Sequence, residues 1–247
     1  MLHQVEWTEK KVGEFWGNMD RLIEGGERVN DYFSNNVGAD FLECVNQKIR
    51  FSNKKILDYG CGIGGLSVEL LEKYDPKLVC GCDISKESVD LMDARCKKYE
   101  NYGGAYEVGE ALQKLGKAKF DIVIAIEIIE HLSDQDLDIM LKRARAFLKK
   151  GGILLISTPN DENLKESIVV CPDCGCYYHK VQHVRSWNGE SLSNYLRKYG
   201  FKEKKIILTD LNKPKGFLRR LYANYTILRR RLSGRKLGNL IYIGYKM

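Results

Sequence analysis

Three groups of residues in this chain have types and spacings suited to chemistry. The first is a carboxylate followed by glycines: Asp58, then Gly60, Gly62, Gly64 and Gly65, within KKILDYGCGIGGLSVELL at 54–71. Ile56 and Leu57 make a short apolar run that ends on Asp58, and Leu66, Val68, Leu70 and Leu71 begin a helical pattern. The stretch therefore reads as strand, tight turn and helix start. Glycines are needed where a backbone must approach a ligand or take positive φ. In an open α/β sheet such a turn lies at the carboxyl ends of the strands, where ligands bind. Gly60, Gly62 and Gly65 satisfy G-x-G-x-x-G, with Asp83 near the ~20-residue offset of a ribose-binding acid. Gly60, Gly62 and Gly64 satisfy the tighter G-x-G-x-G equally well. Asp58 tips the balance, because a carboxylate aimed at the loop suits a cationic amino-acid ligand better than a pyrophosphate.

The second group is Glu127, Glu130 and His131, at i, i+3 and i+4 across the end of a continuous apolar run, Phe120 to Ile126. Such a run is expected of a strand buried on both faces. His131 is the first candidate for a general base, since an imidazole near neutral pH suits that role, with Glu130 beside it. Glu130 and His131 also fit the start of a helix, with the carboxylate near its positive end. The third group is C-P-D-C-G at 171–175, followed by Cys176, His179 and His183. Two thiolates on a turn whose glycine lets backbone N–H groups face the sulfurs have the form of a zinc knuckle. Four residues apart, His179 and His183 would share a helix face and reach one ion. Cys171, Cys174, His179 and His183 would complete a structural zinc shell within 13 residues, leaving Cys176 spare. A redox pair is disfavoured, because Cys171 does not open a helix in a thioredoxin-like setting.

LDYGCGIGG, GCDIS at 81–85 and FDIVIAIEIIEHL at 120–132 together resemble the class I S-adenosylmethionine-dependent methyltransferases in order and spacing, over roughly residues 54 to 160. The resemblance implies an α/β fold: a Rossmann-like, seven-stranded, mostly parallel sheet with helices on both faces. Asp58, Gly60, Cys61, Gly62 and Gly64 would hold the methionine end of the cofactor. Asp83 would take both ribose hydroxyls in a bidentate contact. Ile84, Glu110 and Ala111 would surround the adenine, and Glu127 would line the pocket beside the sulfonium. The E-x-x-E-H segment is similar to that of ubiquinone-pathway O-methyltransferases. With STPN at 157–160 and the histidine of QHVRSW, it also resembles the small-RNA 3′-terminal 2′-O-methyltransferases. That second resemblance implies magnesium held by two glutamates and two histidines, here Glu127, Glu130, His131 and His183. Those enzymes carry no C-P-x-C-G knuckle at this place. His183 is thus claimed by both the zinc shell and the pocket, and the sequence leaves both open.

The elements that position these groups follow from the pattern. Residues 1–50 form an aromatic-rich helical cap (Trp7, Phe15, Trp16, Tyr32, Phe33, Phe41) that covers the acceptor pocket or packs on the sheet edge. In its first helix Val12, Phe15, Trp16, Met19, Leu22 and Ile23 recur at helical spacing. Residues 51–247 form the cofactor-binding domain, with strands at 56–58, 78–82, 105–108, 120–126, 153–156, 205–208 and 240–245. Ser85 and Ser133 cap helices. Insertions at 160–187 and 211–237 rise on the cofactor side as candidate acceptor lids.

Composition sets the remaining bounds. At 247 residues the chain can bury the core of one α/β domain. No apolar run reaches the ~18 residues of a membrane span, and no signal-peptide h-region is visible. Most of the eight cysteines are scattered like reduced thiols, a cytosolic pattern. Residues 211–247 carry ten Lys or Arg and no acid, so residues 1–210 net −3 within a total of +7. The segment 211–237 reads as an amphipathic helix: Leu218, Leu221, Tyr222, Tyr225, Leu228 and Leu232 face one way, with Arg219, Arg220, Arg229, Arg230 and Arg231 around them. It could dock on an anionic membrane surface, holding a cytoplasmic protein at the inner face, guide a phosphate-bearing substrate, or simply pack on the body. Nucleic acid is the less favoured partner, since no RNA-recognition motif accompanies it. The expected function is O-methylation of a small or lipid- or glycan-linked anionic acceptor. The alternatives are RNA 3′-terminal 2′-O-methylation, a dehydrogenase, and a non-catalytic scaffold that uses the knuckle to engage a partner.

Overall fold

The computed structural model describes residues 2–21, 23–24, 27–28, 35–211, 217–234 and 236–247. Leu22, Tyr32 and Phe33 lie outside the described residues. The chain opens with β1 (His3–Gln4), α1 (Glu9–Arg21), an antiparallel pair β2 (Ile23–Glu24) and β3 (Glu27–Arg28), and α2 (Asn35–Asn46). Strands and helices then alternate: β4 (Lys55–Tyr59), α3 (Gly65–Lys73), β5 (Leu78–Asp83), α4 (Lys86–Cys96), β6 (Tyr102–Glu107), α5 (Val108–Leu115), β7 (Phe120–Ile126), α6 (Asp134–Phe147) and β8 (Leu148–Pro159). After a short 3-10 turn come β9 (Ile168–Val170), β10 (Cys176–His179), α7 (Gly189–Lys198), β11 (Phe201–Thr209), α8 (Phe217–Leu232) and β12 (Asn239–Lys246).

Seven strands form one sheet in the order β6-β5-β4-β7-β8-β12-β11, with β12 antiparallel to both neighbours and the other pairs parallel. The expected seven-stranded, mostly parallel sheet with helices on both faces is present. The order reverses between β4 and β7, and the carboxyl ends there form the crevice that such sheets use for ligands. Strand alternation divides the core into two layers. Val123 and Ala125 of β7 pack with Leu137, Met140 and Leu141 of α6 and Leu192 of α7. Ile122 and Ile124 pack on the other face with Phe41, Leu42 and Val45 of α2, Leu70 of α3 and Met92 of α4. The second cap helix therefore packs on the sheet.

Two strands run longer than their apolar runs. β8 begins at Leu148, where Gly151 at φ 70 accommodates a break in the register with β7. β11 begins at Phe201 and exposes Lys202, Lys204 and Lys205, as edge strands commonly do. Because β12 is antiparallel, β11 runs parallel to β8, so both insertions leave the sheet at its carboxyl end, as expected. The first insertion carries a separate three-stranded sheet, β1-β10-β9, in which the N-terminal strand pairs parallel with β10.

The second insertion holds α8, whose docking inverts the amphipathic expectation. Arg220 pairs with Asp40 at 2.8 Å and with Glu43, and Arg230 pairs with Asp210 at 2.6 Å. Ile227 is buried, whereas Leu221, Tyr222, Tyr225, Leu228 and Leu232 are exposed. The side chains of Leu218, Arg219 and Arg231 lie outside the described residues, as do those of Met19 and Ile23 in the cap. Among the described residues no helix is long and apolar enough to cross a membrane. Cys61, Cys80, Cys82 and Cys96 are buried in the domain, and burial raises each thiol above its ordinary pKa.

Candidate active site

The glycine turn forms as its sequence requires. Gly60, Gly62 and Gly64 take φ of 75, 48 and 82, a region costly for any side chain bearing a Cβ. A Cβ on Gly60 would lie 2.3 Å from Ile128 Cδ1, whereas one on Gly62 would meet nothing within 4 Å. Gly60 is thus closed by packing, and Gly62 faces open space. Gly64 is the N-cap of α3 and supplies no side-chain bond, so the first N–H groups of that helix remain available to an anionic group. The buried side chain of Cys61 packs into the α2–α3–α4 layer, so this residue can serve a cofactor only through its backbone.

Asp58 is buried and accepts a hydrogen bond from the Ser67 hydroxyl at 2.7 Å. Burial pushes its carboxyl up to about 7, against the pull of that hydrogen bond and with a further push from Asp83. A cationic ligand beside it would favour the ionised form. Asp83 accepts the Gly62 N–H and the Ser85 N–H at 2.9 Å each, one on each oxygen. Those bonds fix the orientation of the carboxylate, a group with about four acceptor sites in all. Ile84, next to it, is 64% exposed, an apolar surface without a partner layer and suited to a purine face. Glu110 is exposed in the first turn of α5. Ala111 is buried in the core layer, so its methyl serves packing and only its backbone could face a cofactor.

At the end of β7, Glu127 takes φ 51, strained for a residue with a Cβ. Its carboxylate accepts from Ser157 Oγ at 2.7 Å and Asn239 Nδ2 at 3.3 Å. Glu130 is buried and accepts from Thr158 Oγ1 at 2.9 Å. Burial, then the charge of Glu127, raises the Glu130 carboxyl well above its ordinary value. The ring of His131 lies 4.8 Å from that of His183, and His179 stacks on His183 at 4.6 Å. The His183 Nδ1 is 2.5 Å from Glu162 Oε2. If the carboxylate takes the Nδ1–H, the imidazole is oriented with Nε2 as its lone-pair nitrogen, an arrangement usual behind metal-binding histidines.

Among the described residues, the ligand atoms of Glu130, His131 and His183 lie within 4.8 Å of one another, as do those of Glu162, His179 and His183. Glu130 Oε1, His131 Nδ1 and His179 Nε2 are buried with no hydrogen-bond partner. The His183 backbone N–H donates to His179 Nδ1 at 3.2 Å, so a neutral His179 carries its proton on Nε2, which faces Glu162 Oε1 at 3.4 Å. Glu130 Oε1 and His131 Nδ1 are costly to leave unmatched unless a ligand satisfies them, and with His183 they fit a divalent cation. Burial, then the neighbouring His183, pushes the His131 imidazole down to about 3, which disfavours the expected role of general base. A neutral imidazole with a bare nitrogen is instead a metal ligand or a hydrogen-bond acceptor.

The expected zinc shell is corrected. Cys171, Cys174 and Cys176 gather, with all three sulfurs within 4.8 Å, while His179 and His183 belong to the Glu162 cluster. The reason is strand geometry. His179 lies three residues along β10 from Cys176, which puts their side chains on opposite faces and about 10 Å apart along the strand. The thiol set aside as spare is a member of the cluster. Glu162 and Gln182 had no sequence signal of their own, although Glu162 follows the STPN end of β8 as Glu127 follows β7. The cap meets the site through Gln182: Trp16 Nε1 donates to Gln182 Oε1 at 3.0 Å, and Gln182 Nε2 donates to the His131 carbonyl at 2.8 Å. The Trp16 ring meets that of His131 edge-on at 4.9 Å.

A family model described as a methyltransferase domain matches residues 35–204. The chain belongs to the methyltransferase domain family. It is 35% identical over 159 residues to a ubiquinone biosynthesis O-methyltransferase of Pelagibacter ubique (strain HTCC1062), covering 61% of this chain and 62% of that protein. It is 33% identical over 132 residues to the protein of the same name in Chelativorans sp. (strain BNC1), covering 52% and 49%. The chain thus spans from about half to three fifths of the lengths of these relatives. Its fold is shared with a Burkholderia thailandensis 1,6-didemethyltoxoflavin-N1-methyltransferase solved with 1,6-didemethyltoxoflavin and S-adenosylhomocysteine. The TM-score is 0.63 at 15% identity, over 96% of this chain and 87% of that one.

Proposed function

We propose that this protein is an S-adenosylmethionine-dependent O-methyltransferase whose acceptor hydroxyl is presented by a divalent cation, magnesium or a similar ion, at Glu130, His131 and His183. The observation that carries this reading is the pairing of a glycine turn flanked by Asp58 and Asp83 with a gathering of Glu130, His131 and His183 in which Glu130 Oε1 and His131 Nδ1 are orphaned. The bound cofactor would supply a methyl on a sulfonium, ready for in-line displacement. Asp58 and the α3 N-terminus bind its amino-acid end, Asp83 takes the ribose diol, and Ile84 with Glu110 flanks the adenine. Glu127, held by Ser157 and Asn239, lines the sulfonium side. The chain's remaining task is to align the acceptor oxygen at ~3–3.5 Å and exclude water. Trp16 and Gln182 close the site over His131. Glu130 and His131, the two residues expected to move a proton, are placed here as ligands of the cation, with Thr158 orienting the Glu130 carboxylate.

The names of the relatives favour a lipid-linked phenolic acceptor, and the exposed apolar side of α8 suits one delivered from an anionic bilayer. A second reading, methylation of an RNA 3′-terminal ribose, is favoured by the gathering of Glu130, His131 and His183 beside Glu127. Calorimetry with S-adenosylhomocysteine and with NAD tests the cofactor; binding of NAD alone overturns the reading. Methyl transfer to a quinol-like lipid in anionic vesicles and to single-stranded RNA then decides the acceptor, and chelation should abolish either activity. A steep loss of RNA binding with salt would accompany the second outcome.

A further inference from the structure

We infer that Cys171, Cys174, Cys176 and His3 bind one zinc ion, and that this ion fastens the N-terminal strand and α1 to the insertion over the active site. The three sulfurs already lie within 4.8 Å of one another. Around a tetrahedral zinc with bonds of 2.3 Å they would sit roughly 3.8 Å apart, so a small contraction closes the cluster. The turn that carries them is preformed. The Cys171 N–H donates to the Cys176 carbonyl at 2.8 Å, the Gly175 N–H donates to the Cys171 carbonyl at 3.0 Å, and Gly175 takes φ 72.

A fourth ligand is set by strand register. β1 pairs parallel with β10, and His3 stands opposite Cys176. Partners in a parallel pair project to the same face, and two residues on, Tyr178 of that face meets Trp7 and Phe15 of the cap. His3 lines a surface cleft together with Cys174 and Cys176. Its side chain is exposed at that cleft. The insertion also needs a fastening. Every residue of β9 is exposed, including Ile168, Val169 and Val170, and β1 contributes two residues to the sheet. Such a small sheet buries too little to hold itself, which is where structural zinc replaces a core. The ion would sit apart from the Glu130–His131–His183 group, so it requires nothing of the methyl-transfer reading.

Cobalt substitution of the full chain tests this, because only thiolate ligands give intense near-ultraviolet charge-transfer absorption. Wild type should show a three-thiolate, one-imidazole tetrahedral spectrum that zinc displaces, and His179→Ala and His183→Ala should keep it. Cys176→Ser should lose at least a third of the charge-transfer intensity. His3→Ala should fold as wild type by circular dichroism yet bind cobalt at least about tenfold more weakly. Chelation should speed hydrogen exchange in residues 2–7 of wild type but not of His3→Ala. A wild type that shows no thiolate–cobalt band overturns the proposal. So does a band that His179→Ala or His183→Ala removes and Cys176→Ser and His3→Ala leave untouched.

Discussion

Among single residues, Asp58 and Glu127 carry the most stored cost. With its carboxyl raised to about 7, Asp58 must lose a proton before it can face a cation. Ligand binding lowers that pKa, so affinity is full above about 7 and declines below it, by up to roughly tenfold per pH unit. Calorimetric titration of S-adenosylhomocysteine from pH 5 to 8 should show this slope, and Asp58→Asn should flatten it. Glu127 is held at φ 51 with a partly desolvated carboxylate, a conformation that glycine adopts freely. Glu127→Gly should therefore raise the melting temperature, by the equivalent of about 1 kcal/mol, while methyl transfer falls sharply. A variant that is both less stable and equally active would show that the strain serves no function. Asp58, Asp83 and Glu127 were legible because each ends a strand that its own apolar run announces. The basicity of His131 was not, since it depends on burial and then on His183 and His179, some fifty residues away and brought close only by folding.

At the level of elements, the β4–α3 unit, the buried β7 and the capped α4 and α6 could be read directly from local signals. β1 could not, because two residues have no periodicity and their pairing is set by β10. α8 was legible as a helix with an apolar stripe, yet periodicity does not say what covers the stripe. Two arginines turn inward to Asp40, Glu43 and Asp210, and the stripe turns out. Tyr225→Asp with Leu228→Asp should lower binding to anionic vesicles at least tenfold while leaving the melting temperature within a degree or so, as expected of solvent-facing positions. A melting temperature that drops several degrees would mean that the stripe is packed.

Across the whole molecule, the sheet builds the cofactor half of the crevice, and the first insertion with α1 builds the acceptor half. The split is visible at Trp16, which reaches His131 and Gln182. Trp16→Ala should accordingly raise KM for the acceptor several-fold or more and leave S-adenosylhomocysteine affinity unchanged. An equal loss of both would place the cap over the cofactor as well. The sheet and its insertions were readable from the chain, but the sharing of the site between the first 20 residues and the 160–187 insertion was not, because it is a long-range hydrogen-bond link through Gln182.

The burial of the domain cysteines has a practical consequence. Cys61, Cys80, Cys82 and Cys96 are shut away as protonated thiols, with Cys80 pushed up to about 12 and Cys96 to about 11. Cys174 is exposed, and its thiol is held below the ordinary pKa by the Cys176 N–H and its sulfur neighbours. A stoichiometric maleimide dye should therefore mark the hairpin turn selectively once a chelator has stripped any metal, and bound zinc should protect it.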